Sequence, residues 1–308
     1  MQQTKMKMTA TYHNPVLLNE SIEGLQVRPG GRYVDVTFGG GGHAAKIVSL
    51  LNQDGRLYGF DQDPDAAANA FDDERLVLIN QNFSFLKNYL TFHKAIPVDG
   101  ILADLGVSSH QFDTAERGFS TRFDAPLDMR MNQNTDLTAA QVINTYEQES
   151  LTTIFKNYGE LARAHAIAKH IVSVRSEKTI GTIQELKDAT VRFAPRGKEN
   201  KFYAQLFQAL RIEVNQELEV LKKLLNESQQ VLKKGGRLVV ITYHSLEDRL
   251  VKNFINKGKF SGEVEKDFYG NPIKPFAAIN RKPIVATEEE INQNSRARSA
   301  KLRIAERI

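Results

Sequence analysis

Three carboxylates and a run of glycines are the residues of this 308-residue chain best placed to do chemistry. The glycines stand in residues 38–43 (FGGGGH), directly after an apolar run that contains Asp35. A glycine turn between a strand and a helix lets backbone amides close on a ligand at the helix N-terminus. Asp61 ends the next apolar run, 26 positions after Asp35, close to the offset of one strand–helix–strand unit. A carboxylate there stands where it can accept from a pair of ribose hydroxyls. Asp104 ends a later run, where the far end of such a ligand or an acceptor amine would lie. His244 and Ser245 follow a fifth run and face the same edge. The spacing Gly39-x-Gly41-x-x-Ala44 also satisfies the dinucleotide fingerprint, so the turn by itself admits NAD or S-adenosylmethionine. Three features favour the methyl donor. No later segment reads as a nicotinamide-side catalytic domain, only one complete mononucleotide half precedes the break in the pattern, and an acid ends the fourth run.

These residues need a frame. Residues 33–38, 56–61, 76–79 and 98–104 read as strands, and residues 43–51 as a helix turning Ile47, Val48, Leu50 and Leu51 inward. Asp63 and Pro64 fit an N-cap and a first helical position. Strands alternating with helices imply a parallel sheet covered on both faces. The alternation stops after Leu105. Residues 108–211 carry helix signals and no convincing strand: Thr138 with Gln141 and Thr182 with Glu185 match capping boxes, and residues 161–174 have helical spacing. The pattern resumes with an amphipathic helix at 216–232, ended by Gly235 and Gly236, then a strand at 237–242. A basic stretch at 257–283 precedes a closing strand at 299–306. The organisation expected is a Rossmann-like α/β domain, residues 1–108 and 213–308, interrupted by an all-helical insertion at 109–212.

Composition narrows the function. The chain has no cysteine, which excludes disulfides, thiolate metal sites and a cysteine nucleophile. Its seven histidines form no ligand-spaced cluster with carboxylates, so no metal is expected. No apolar run is long enough to span a membrane, and residues 1–10 lack a signal-peptide core; a cytoplasmic protein is expected. Charge is unevenly spread. Residues 1–105 carry 9 Lys/Arg against 12 Asp/Glu, whereas residues 151–212 carry 11 against 5. A basic middle suits a polyanion. Two segments stand out for RNA: residues 112–131, with Arg117, Phe119, Phe123 and Arg130, and the loop 192–201 around Arg196. A packed lid and a solvated loop are the alternatives for each.

Seven segments, in order, resemble one family: 12–18 (YHNPVLL), 38–43 (FGGGGH), 104–109 (DLGVSS), 116–120 (ERGFS), 126–131 (PLDMRM), 243–249 (YHSLEDR) and 294–299 (NSRARS). Together they are similar to the RsmH (MraW) ribosomal small-subunit methyltransferases. The resemblance implies a Rossmann-like class I S-adenosylmethionine-dependent methyltransferase domain with an inserted helical substrate domain. It also implies N4 methylation of a cytidine in the decoding region of 16S rRNA. Residue by residue, it places cofactor contacts at Gly41, Gly42, His43, Asp61, Phe83, Asp104 and Gln111, with Phe83 packing on the adenine. His110 stands where this motif commonly has proline, next to Gln111.

The cytosine N4 lone pair is delocalised into the ring, and a nearby acceptor can localise it by hydrogen-bonding the N–H and help remove the proton. Asp104 and His244 are the candidates. Amine methyltransferases often follow the strand-four acid with two prolines, which this chain lacks, so Asp104 is expected to touch the cofactor, the acceptor, or both. Ser245 with Asp248 fits a capping box, and His244 is open between base contact and a structural role. Two rivals remain: an NAD-dependent oxidoreductase, and a non-catalytic RNA-binding assembly factor retaining a cofactor pocket. Pairing with a second copy is left open.

Overall fold

The computed structural model describes residues 15–308; Tyr12, His13 and Asn14 of the first motif, and the start of the chain, lie outside them. The four expected strands form early: β1 (Arg32–Asp35), β2 (Arg56–Phe60), β3 (Leu76–Ile79) and β4 (Val98–Asp104). With β5 (Leu232–Thr242), β6 (Phe276–Ala278) and β7 (Lys301–Arg307) they make a seven-stranded sheet in the order β3-β2-β1-β4-β5-β7-β6. The first five strands in that order run parallel, and β7 is antiparallel to both neighbours.

The central strands are continuous apolar runs because both faces are covered. Successive side chains point to opposite faces, and the core divides accordingly. Val34, Ile101, Leu238 and Val240 pack on one side with residues of α3 (Leu86–Phe92), α10 (Glu217–Val231) and α11 (Ser245–Lys257). Tyr33, Leu102, Val239 and Ile241 pack on the other with α1 (Leu18–Leu25) and α2 (Gly42–Leu50). In α2, Ile47 and Val48 are buried as expected, but Leu50 is 39% exposed.

Between β4 and α10 the described residues are helical: α4 (Ser109–Asp113), α5 (Ala139–Thr145), α6 (Gln148–Asn157), α7 (Ala164–Glu177), α8 (Ile183–Thr190) and α9 (Glu199–Asn215). They have a core of their own, drawn from residues between Phe119 and Val214. Both expected capping boxes close, Thr138 with Gln141 and Thr182 with Glu185. The remaining helix, α12 (Glu288–Gln293), lies just before β7.

Three expectations fail locally. The glycines at 235 and 236 do not end a helix: α10 stops at Val231, and Leu232 is already extended. Leu232 pairs with Val98 and Arg237 with Gly100, so the residues between them, Gly235 at φ 74°, form a bulge. The strand β6 lies inside the stretch read only as basic. The cap of α11 is His244, not Ser245; its ring accepts from the Glu247 amide while Glu247 caps back.

Candidate active site at the carboxyl edge of the sheet

The strand order reverses between β1 and β4, and in open α/β sheets ligands bind in the crevice beyond such a switch point. The expected residues converge there. Asp35 ends β1, Asp104 ends β4, and Thr37 joins them: its hydroxyl accepts from the Asp104 amide at 2.7 Å and donates to Asp35 Oδ1 at 3.4 Å. The Thr37 amide also donates to Asp35 Oδ1.

The glycine turn closes the front of the crevice. Gly41 is the N-cap of α2 with φ 75°, a left-handed conformation in which a side chain is strained. At Gly42 an added Cβ would lie 2.3 Å from Pro15. The first-turn amides of α2 have no acceptor within their own helix. Asp61 is tied to the same turn: Oδ2 accepts from the Gly39 amide at 2.7 Å and Oδ1 from the Asp63 amide at 2.9 Å. Burial pushes its pKa up to about 6, against those two amides, which lower it. Asn80, just after β3, donates to the Asp61 carbonyl, and Phe83, half-buried, packs against the core on the α3 side of the sheet.

Electrostatically the crevice gathers carboxyl groups whose ionised form is disfavoured by burial. Burial raises Asp35 to about 7, and its Oδ2 is buried without a hydrogen-bond partner. Burial also raises Asp104 to about 7; the Tyr243 hydroxyl, donating to Oδ1 at 2.7 Å, opposes this, and the charges of Asp35 and Glu247 add to it. His43 lies 3.9 Å from Asp104 Oδ2, but burial lowers its pKa to about 4, so it stays neutral and supplies no counter-charge. Its Nε2 meets the Val16 carbonyl at 3.2 Å. A buried carboxylate without a cation is costly. The orphaned, buried Asp35 oxygen and the neighbouring Asp104 fit a cationic ligand.

Four expected site residues make contacts within the chain. Gln111 is buried; its amide nitrogen donates to Asp63 at 2.6 Å and its oxygen caps α4 through the Ser108 amide. Arg117 is 4% exposed, bonded to Asp63 at 2.8 Å, Asp65 at 3.0 Å and the carbonyls of Arg130 and Met131. Phe119 is buried in the helical core. Arg130 holds Asp128 with two nitrogens and the carbonyls of Gln133 and Thr135 with the third. Arg117 and Phe119 therefore offer no face to RNA, which corrects their reading as RNA contacts; Arg130 is engaged within its own loop. Arg196 is exposed.

Other participants carried no signal of their own. Glu247, 2% exposed, accepts from the amides of Tyr243 and His244. It lies with Glu217 and His244 in a group whose ligand atoms fall within 4.8 Å of one another, a convergence that their wide spacing in the chain did not announce. The cation already there is Arg211, bonded through Nε and Nη2 to both Glu217 oxygens at 2.8 and 2.9 Å. Tyr243 could have been found as the neighbour of His244 at the end of β5. Among the described residues no helix is long and apolar enough to cross a membrane.

Known proteins agree with this geometry. The chain is 57% identical over 303 residues to Ribosomal RNA small subunit methyltransferase H of Flavobacterium johnsoniae, covering 98% of this chain and 100% of that one. It is 56% identical to the protein of that name from Christiangramia forsetii, with coverage of 98% and 100%, and 57% identical to that of Cytophaga hutchinsonii, with 96% and 99%. The model of one family matches residues 10–308. The chain belongs to the MraW methylase family.

Proposed function

We propose that the chain transfers a methyl group from S-adenosylmethionine to N4 of a cytidine in the decoding region of 16S rRNA. The observation that carries this reading is the convergence of Asp35, Asp61, Asp104 and the glycine turn at Gly41 on the edge of the sheet where the strand order reverses. Relatives named as small-subunit rRNA methyltransferases support the substrate class, and the motif resemblance supports the N4 position. A methylase family gives no support to the oxidoreductase alternative.

S-adenosylmethionine supplies an electrophilic methyl group on a sulfonium. The chain's residues do the rest. Asp61 accepts from the ribose hydroxyls, Phe83 packs on the adenine, and Gly41, Gly42 and His43 line the amino-acid end. Asp35 Oδ2 takes the ammonium group. Asp104, steadied by the Tyr243 hydroxyl, accepts the N4 proton as the methyl group arrives; a pKa near neutrality suits that task. Tyr243 itself is held well above its ordinary pKa by burial and by Asp104, so it remains a donor. His244, whose Nε2 lies 3.2 Å from Glu247 Oε1, is the second candidate for contact with the base. A base within folded rRNA must be swung out to reach this depth. Methyl transfer to small subunits from cells lacking the enzyme, followed by mass spectrometry of the nucleosides, tests the reading. N4-methylcytidine is expected; any other methylated nucleoside overturns it.

A further inference from the structure

Some basic side chains of this protein have acidic partners, among them Arg75, Arg117, Arg130, Arg211, Arg237 and Arg303. On one face of the helical insertion two arginines are instead gathered on an aromatic ring. Arg163, at the N-cap of α7, and Arg192, just after α8, both lie over the ring of Phe193, at 5.3 and 5.7 Å from its centroid. His170 stands edge-on to the same ring at 5.5 Å. Neither arginine has an ion pair or side-chain hydrogen bond among the described residues. Two guanidinium groups gathered on one aromatic ring repel each other, and no carboxylate relieves them.

The turn that carries Arg163 leads toward the sheet. It borders an open groove of about 430 Å³ lined by Lys156, Glu160 and His165, among others. Lys156 and His165 are exposed. Glu160, in a left-handed conformation at φ 50°, crosses to the other domain, accepting from Ser245 Oγ at 3.0 Å and from Arg249 at 3.5 Å. Ser245 follows Tyr243 and His244, and Tyr243 touches Asp104. Arg163 therefore stands in the turn between the Phe193 cluster and Glu160, whose partner Ser245 is two residues from Tyr243.

We propose that this face is the track for the single-stranded RNA backbone on one side of the target nucleotide. Arg163, Arg192 and Lys156 take phosphates, Phe193 and its guanidinium stack offer a flat surface to a base, and the strand passes Glu160 to reach Asp104. The inference rests on the proposed RNA substrate, and it adds where the strand is gripped. RNA is favoured over an acidic protein because the two guanidinium groups are planar and backed by an aromatic ring, a surface suited to phosphates and a stacked base.

Binding of a cytidine-containing single-stranded RNA oligonucleotide to the full chain, measured across a salt series, tests this. Each lost phosphate contact lowers the slope of log affinity against log salt by about 0.7. R163A/R192A is expected to lose about 1.4 of slope and roughly tenfold or more in affinity near 0.1 M salt, with S-adenosylmethionine affinity unchanged. Glu160→Gln should act in the opposite sense and tighten RNA binding, which a merely misfolded variant would not do. Unchanged affinity and slope in R163A/R192A, or no tightening in Glu160→Gln, overturns the track. A product other than N4-methylcytidine from the wild-type enzyme would remove the proposed activity and leave the salt slopes to judge the track.

Discussion

Charge is handled in opposite ways at the sheet edge and on the outer face of the insertion. At the edge, Asp35 and Asp61 are fixed by backbone amides and Asp104 by the Tyr243 hydroxyl, and among the described residues none of the three pairs with a lysine or arginine. On the α6–α7 face, cations are exposed and left short of carboxylates. The difference follows from the ligands each region suits. A small cation can be selected by a few desolvated oxygens, because burial strengthens each contact and a wrong ligand leaves them unpaired. A polyanion is caught by many solvated cations whose contributions add through counterion release. Arg117 belongs to the insertion but follows the rule of the edge, buried between Asp63, Asp65 and two carbonyls.

That exception gives the sharpest way to break the comparison. Removing one partner of a buried ion pair strands the other, at a cost of about 3–5 kcal/mol. Arg117→Ala should lose about that much stability in urea unfolding, whereas Arg163→Ala should change it by less than about 0.5 kcal/mol. Similar losses in both variants would mean that the two regions do not differ in kind.

A smaller effect is expected at the ribose position. Asp61→Ala should weaken S-adenosylmethionine binding by about 1–3 kcal/mol in calorimetry, the range for a charge-assisted hydrogen bond. RNA affinity should be unaffected. Unchanged cofactor affinity would remove Asp61 from the site.

What could be read from the sequence was local. Strands β1 to β4 were legible because each is an apolar run bounded by turn residues, and the boxes at Thr138 and Thr182 because a cap needs only four residues. The carboxylates Asp35, Asp61 and Asp104 were legible because a parallel strand delivers its last residue to a fixed edge. Partners across the chain were not. Arg117 reads as a free cation until the fold brings Asp63 to it from 54 positions away. Phe119 reads as a stacking aromatic until α5 to α9 enclose it. The strand β6 has three residues, too few for any period to register. The cap of α11 was misread by one position because histidine competed with serine, and its ring nitrogen accepts where a hydroxyl was expected.

The mildest test concerns protons, and its sign follows from the raised carboxylates. Without cofactor, Asp35 and Asp104 titrate near 7, well above the ordinary aspartate value of 3.8. Between those limits the folded chain holds protons that the unfolded chain has lost, so its stability without cofactor should fall as pH rises through that window. Cofactor binding should run the other way. A cation favours the ionised carboxylates, so affinity should strengthen from pH 6 to 8, about tenfold for each carboxyl group that must ionise, with protons released at pH 7. Calorimetry in two buffers of different ionisation enthalpy reads that release directly. His43 could mimic the trend if it titrated at its usual value, but burial holds it near 4 and it is neutral throughout. The dependence should therefore survive in His43→Gln. Loss of the pH dependence in that variant would transfer the proton to the histidine, and proton uptake by the wild type would contradict the assignment of a cationic ligand to these carboxylates.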